Sequence, residues 1–191
     1  KSISPEGMIL CGVAISAMFT GGTTMVQFFA DEQRLASIVF WTFGDLSRTN
    51  LADLRIIALV VLGGSVFFFF NRWNYTALLT GDDGAKGLGV NVERIRLVSM
   101  TLATLMTAVI VAFIGIINFI GLIAPHILKG VLGNDYRFLI PGSALLGAIL
   151  LLLSDVVGRV MVQPLVLPIG AITSFLGGPL FLYLLYRGNR S

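Results

Sequence analysis

The sequence predicts an all-α fold: a polytopic bundle of transmembrane helices with six spans, in one domain over residues 1–191. Three observations predict it. The chain is 56% hydrophobic and only 12% charged, where a soluble domain carries about 25% charged residues. The charges are also segregated. Residues 7–30, 56–71, 97–128, 138–154 and 160–186 contain no Asp, Glu, Lys or Arg. A helix rising 1.5 Å per residue needs about 20 apolar residues to cross the hydrocarbon layer. Finally, the basic residues fall unequally on the two sides that six crossings would define.

The first span is read at residues 7–29. Thr20, Gly21, Gly22, Thr23 and Thr24 form a small, polar stretch near its middle. Adjacent glycines weaken a helix, so they point to close packing or a lined cavity. Residues 30–54 read as a charged connection, with a short amphipathic piece at 40–44 where Trp41 suits the interface. The second span is read at 55–72, with Trp73 as an interfacial anchor.

Residues 75–96 are the longest hydrophilic stretch between spans. Asp82 and Asp83 followed by Lys86 suit a short helix, with acid near the positive end of its dipole. Gly89 suits its end, and Asn91 to Arg94 read as the start of a second short helix.

The charge-free run 97–128 has 32 residues, too many for one span. Gly115, Asn118, Gly121 and Pro125 cluster in its second half, so the expected break lies near Asn118. This gives a full span at 96–117 and a shorter one at 119–132. The last two spans are read at 141–158 and 168–186.

Counting basic residues tests that break. With six crossings one side holds Lys1, Arg72, Lys86, Arg94, Arg96, Lys129, Arg137, Arg187 and Arg190. The other holds Arg34, Arg48, Arg55 and Arg159. Nine against four is the asymmetry expected of a cytoplasmic and an outer side. Without the short crossing the count is six against seven. The nine-residue side, which includes 81–89 and 133–137, is expected in the cytoplasm.

Several function classes are excluded by composition. No Lys/Arg cluster forms a nucleic-acid stripe, and the formal net charge is only +3. A single cysteine, Cys11, allows neither an intrachain disulfide nor a multi-cysteine metal site. The glycine-rich stretch 81–89 lacks the G-x-x-x-x-G-K-[ST] spacing of a phosphate loop, so nucleotide chemistry is expected elsewhere. The chain opens Lys1-Ser2-Ile3-Ser4-Pro5, without Met or a signal pattern, and is expected to be a piece of a longer polypeptide.

Three blocks carry a resemblance. Residues 115–127, GIINFIGLIAPHI, resemble a G-x-I-x-F-I/V-G-L-x-x-P-H-I signature. LPIG at 167–170 with GGPLF at 177–181 resembles an L-P-x-G … x-G-x-P-x-F final helix. TGDDGAKGLGV at 80–90 is similar to L-G-E-x-x-A-x-x-L-G. These are the marks of the FecCD-type permeases of vitamin B12 and iron-siderophore importers, and they occur in order over nearly the whole chain. Against the family pattern, Lys129 stands where Arg is usual, Tyr136 where His is usual, and Asp82–Asp83 where a Glu pair is usual.

The resemblance implies the last six helices of a ten-span permease in an ABC importer of the cell inner, or cytoplasmic, membrane. Its cargo would be an iron-siderophore, haem or cobalamin-type molecule. It implies a homodimer with the pathway at the subunit interface, an ABC ATPase subunit beneath each copy, and a periplasmic or lipoprotein binding protein outside. Gly81, Asp82, Asp83, Ala85, Lys86, Leu88 and Gly89 would form the ATPase-coupling segment, with Ala85 and Leu88 sharing one apolar face. Arg159 would pair with a Glu of the binding protein; from spacing alone it forms an i,i+4 pair with Asp155. Thr20, Gly21, Gly22 and Thr23 with Gly170, Gly177 and Gly178 would pack along the pathway. The chain itself would bear no catalytic residue, cofactor or metal.

His126 is the only histidine. A metal site needs several ligands, so a hydrogen-bonded packing role beside Pro125 is expected. A secondary transporter or channel would need a mid-span carboxylate or facing broken helices. An intramembrane enzyme would need a nucleophile–base or multi-ligand constellation. Asp155 stands near a span end, and His126 has no sequence-evident partner.

Overall fold

In a computed structural model, residues 5–161 and 166–188 are described. Lys1 and Arg190 of the charge count lie outside them, as does the side chain of Arg187. The described residues are helical with short connections, and no strand occurs among them. The chain divides into two compact units, up to Trp41 and from Thr42 onward.

The first unit holds α1 (Pro5–Phe29) and most of α2 (Glu32–Thr42). α1 exposes Ile9, Leu10, Met18, Phe28 and Phe29, while Ser16, Thr20, Thr23, Thr24 and Gln27 share one more polar face at helical spacing. The Asp31 carboxylate accepts the Arg34 amide at 2.8 Å and starts α2. α2 is a regular helix of 11 residues, not the short piece at 40–44 expected from sequence.

The second unit holds α3 (Leu51–Phe70), α4 (Arg72–Leu78), α5 (Asp82–Gly87), α6 (Val92–Ile114), α7 (Ile120–Leu132), α8 (Tyr136–Val160) and α9 (Ile169–Gly188). α3 begins earlier than expected because Asn50 and Asp53 form a capping box. Asn50 Oδ1 accepts the Ala52 and Asp53 amides at 2.9 Å, and Asp53 accepts the Asn50 amide. α8 likewise starts at Tyr136, ahead of Pro141, capped by Asp135 on the Arg137 amide at 2.9 Å.

α8 is the central element, packing on α3, α4, α7 and α9. α7 and α8 approach closely because Gly142 and Gly147 present no side chain. A Cβ there would stand 3.1 Å from Leu128 Cδ1 and 3.8 Å from Ala124 Cβ. Ile123, Ala124, Leu139, Ile169 and Ile172 form the buried core. α3 and α6 meet where Gly64 faces the Met106 thioether.

α6 stops at Gly115 (φ +87), and α7 starts after Phe119, a non-glycine residue at φ +67. The expected break is therefore present and lies at 115–119. The start of α7 adjoins Gly44 and Gly177, while its end leads through Gly133 into Tyr136, beside Tyr75. The connection 115–119 and α7 thus lead from the side holding Gly44 toward the side holding α4. The 13 residues of α7 span about 20 Å at 1.5 Å each, against 25 residues for α8. α1, α3, α6 and α8 have membrane-spanning length and apolarity; α7 and residues 169–183 of α9 are shorter apolar helices.

Candidate functional site: the two ends of the bundle

At one end, α4 and α5 form a module between α3 and α6. Gly81 (φ +88) turns the chain into α5, where Asp82 and Asp83 occupy the first turn and Lys86 the last. This placement complements the helix dipole. Lys86 Nζ stands 4.0 Å from Asp83 Oδ1, and Arg96 Nη2 donates to Asp82 Oδ1 at 3.0 Å. Gly89 (φ +84) ends the turn, and the Val90 amide returns to the Ala85 carbonyl at 3.0 Å.

This geometry corrects two expectations. Ala85 is fully buried while Leu88, the C-terminal cap of α5, is 67% exposed. The two do not share an outward face: the helix ends between them, and Ala85 turns inward. The second short helix is α4, before α5. Asn91 instead caps the long α6 through the Arg94 amide at 3.0 Å.

α4 fastens this module to the spans. The Tyr75 hydroxyl and Ser99 Oγ of α6 lie 2.6 Å apart. The Tyr75 ring centroid is 6.0 Å from that of Phe68 on α3 and 6.1 Å from that of Tyr136 on α8. Burial pushes the Tyr75 phenol above its ordinary pKa, opposed by the Ser99 hydrogen bond, so it remains a neutral hydrogen-bonding group. The Arg137 guanidinium lies over the Trp73 ring at 4.2 Å. Sequence pattern singled out Trp73 as an anchor but gave no sign of Tyr75, Ser99 or Tyr136 as partners. They are joined only by folding.

At the other end, Arg159 Nε donates to Asp155 Oδ2 at 2.9 Å, as the i,i+4 spacing implied. Its Nη2 also donates to Ser47 Oγ at 2.9 Å, a partner 112 residues away that the sequence did not reveal. Ser47 is placed by Asp45, whose carboxylate accepts its amide at 2.8 Å and whose own amide donates to the Ile114 carbonyl at 2.9 Å. The Arg159 side chain keeps 47% of its exposure.

The glycine and threonine candidates separate into two kinds. Gly170 and Gly177 are packed inside the second unit: a Cβ on Gly170 would meet the Phe43 and Ile116 carbonyls, and one on Gly177 would stand 2.6 Å from Phe119 Cβ. Gly178, Gly21 and Gly22 have nothing within 4 Å of such a Cβ. The Thr20 and Thr23 hydroxyls donate to the Ser16 and Phe19 carbonyls of α1 at 2.9 Å. They satisfy themselves on their own helix.

Pro125 lies inside α7, and His126 beside it is half-buried. No hydrogen bond to the imidazole occurs among the described residues, so the expected hydrogen-bonded form of its packing role is not found. No group of three His, Cys, Asp or Glu side chains that could hold a metal occurs among them either.

Comparison with known proteins places this architecture. An ABC transporter permease protein of Methanocaldococcus jannaschii is 53% identical over 187 residues, covering 98% of this chain and 54% of its own length. The hemin transport system permease of Yersinia pestis is 35% identical over 180 residues, covering 94% and 54% respectively. A solved structure titled as an inward-facing metal-chelate type ABC transporter superposes with TM-score 0.88 and 33% identity, over 96% of this chain and 60% of that one. The chain therefore spans about half the length of the curated relatives it matches. Residues 1–187 match the FecCD transport family, and a bundle whose broken α6–α7 crossing and final helix fall where those signature blocks stand belongs to that family.

Proposed function

We propose that this chain is the C-terminal part of a permease subunit of an ABC importer in the cytoplasmic membrane. It passes a metal chelate or related macrocycle, of the siderophore, haem or cobalamin type, inward at the expense of ATP hydrolysed in a separate subunit. The observation that carries the reading is the α4–α5 module. Residues 75–96 fold as a fixed projection, with Ala85 buried beneath it and Leu88 exposed at its tip. A flexible linker has no reason to bury one residue of its turn completely and to tie its ends to α6 through the Tyr75–Ser99 and Asp82–Arg96 contacts. A projection fixed to two spans is what an ATPase subunit needs in order to move them.

The positive-inside rule puts this module in the cytoplasm with Lys86, Arg94 and Arg96, and puts Arg159 outside. Arg159 then presents its remaining donors to a carboxylate of a periplasmic or lipoprotein binding protein. A second copy of the permease completes the pathway, with the open Gly21, Gly22 and Gly178 positions on helices available for close approach. Lipid covers the remaining apolar surface.

The test is co-purification of the full-length permease, expressed with its ATPase, followed by reconstitution in liposomes. A stable complex with ATP-dependent accumulation of a ferric chelate, haem or cobalamin supports the reading. Accumulation that proceeds without an ATPase and follows an ion gradient would assign a secondary transporter instead.

A further inference from the structure

α8 touches both ends at which partners are proposed to act. Its first residues, Tyr136 and Arg137, hold α4 through the Tyr75 ring and the Trp73 ring. Its penultimate residue, Arg159, holds Ser47 and Asp155 at the opposite end. Between them α8 is one uninterrupted helix of 25 residues, about 37 Å long. Its Pro141 lies near the α4 end, so the following stretch to Arg159 is regular helix. α6 is attached differently. It takes α5 through the Arg96–Asp82 ion pair at 3.0 Å and α4 through the Tyr75–Ser99 hydroxyl contact at 2.6 Å.

We infer that α8 is the rod that links the two ends: displacement of the α4–α5 module is delivered to α8 by the Trp73–Arg137 and Tyr75–Tyr136 contacts, and appears at Arg159. The inference rests on the ABC reading above. The contacts suit the task. A guanidinium over an indole face and a pair of tilted rings are attractive contacts with preferred geometries. α4 packs directly on α8, whereas α5 packs on α4 and α6. Trp73 and Arg137 are thus positioning residues. They act on docking at the far end without touching the partner there. Coupling of this kind is a free energy shared between two sites. Its physical warrant is a rigid element that both sites bias.

The experiment uses the full-length permease homodimer with its ATPase in lipid nanodiscs, in a Cys11→Ser background with any further native cysteine replaced. One nitroxide label is placed at Val160→Cys, beside Arg159 on α8, and in a separate sample at Leu105→Cys on α6. Both positions are exposed. Distances between the two copies are read by pulsed electron paramagnetic resonance with and without ATP–vanadate. Wild type should change distance at both labels. If it binds no ATPase, or changes at neither label, the ABC reading itself fails. With that established, Trp73→Leu and Arg137→Gln should each lower the ratio of shifted to unshifted molecules at position 160 about fivefold, the scale of a partly shielded cation–π contact. The change at position 105 should persist, as should ATPase binding. Arg137→Lys, which keeps a cation over the ring, should retain most of the response. An unaltered shift at position 160 in Arg137→Gln overturns the inference. So does an equal loss at both labels, since that outcome means the variant has loosened the whole module rather than the joint to α8. A purely structural role would lower the unfolding temperature while leaving the shift at position 160 intact, and that too overturns it.

Discussion

The Gly170 amide donates to the Phe43 carbonyl at 3.0 Å, joining the first turn of α9 to the connection after α2. The Ile116 carbonyl converges on the same glycine, so three backbone segments cross with no side chain between them. Thr173 and Ser174 turn their hydroxyls back to the Gly170 carbonyl at 3.2 and 2.7 Å. Backbone atoms cannot swing aside as a long side chain can. Gly170→Ala should therefore destabilise the protein by about 3 kcal/mol or more, at or above the upper range of overpacking. Gly178→Ala, which meets open space, should change stability by less than about 0.5 kcal/mol. Thermal unfolding of the two purified variants checks the contrast, and equal effects would mean the crossing tolerates a methyl group.

The exposed Leu88 and the buried Ala85 should now respond in opposite ways. Leu88→Asp leaves the fold of α5 intact but places charge at the tip of the projection. Its ATPase affinity should fall about tenfold, the scale of losing one apolar anchor, with an unchanged unfolding temperature. Ala85→Trp cannot be housed where no surface is accessible, so it should lower thermal stability first and ATPase binding only as a consequence. Titration of the ATPase against each variant, paired with thermal unfolding, separates the two. Wild-type affinity in Leu88→Asp would remove that residue from the contact.

Salt should distinguish Arg159 as a docking residue from Arg159 as a local tie. Attraction between exposed charges is screened at higher ionic strength. Binding-protein affinity should fall with salt for wild type. Arg159→Glu should lower it about tenfold at low salt and partly recover as salt is added, because like charges then face each other. Asp155→Asn keeps the cation but removes its 2.9 Å partner, and should retain the wild-type sign of the salt response. Identical salt dependence in wild type and Arg159→Glu would confine Arg159 to its contacts with Asp155 and Ser47.

Sidedness can be read directly. In a Cys11→Ser background, Lys86→Cys on α5 should be labelled by an impermeant thiol reagent only after the cytoplasmic face is opened. Arg48→Cys, exposed beside Ser47, should be labelled in intact cells. Labelling of both positions from one side would be incompatible with a chain in which α3 runs from one end of the bundle to the other.

The sequence by itself determined that this protein is a bundle of apolar helices, and which family it belongs to. Long charge-free runs have few physical solutions other than spans, and the blocks at 80–90, 115–127 and 167–181 are local patterns readable without a fold. The break in the 97–128 run was legible because Gly115 and Asn118 disfavour a continuous helix. The early start of α3 was present too, in Asn50 and Asp53, but a capping pair at the edge of a charged connection is easily assigned to the connection. What only the tertiary structure decided was direction and partnership. Spacing puts Ala85 and Leu88 on one face only while the helix continues, and it ends between them. Gly177 reads as a small residue available to any neighbour until Phe119 is found against it. Ser47 reaches Arg159, and Tyr75 reaches Ser99 and Tyr136, across separations that no local periodicity encodes. Apolar pattern fixes which segments leave water. Inside a bundle whose helices are apolar nearly all round, pattern no longer distinguishes one face from another, and close packing alone selects which residues meet.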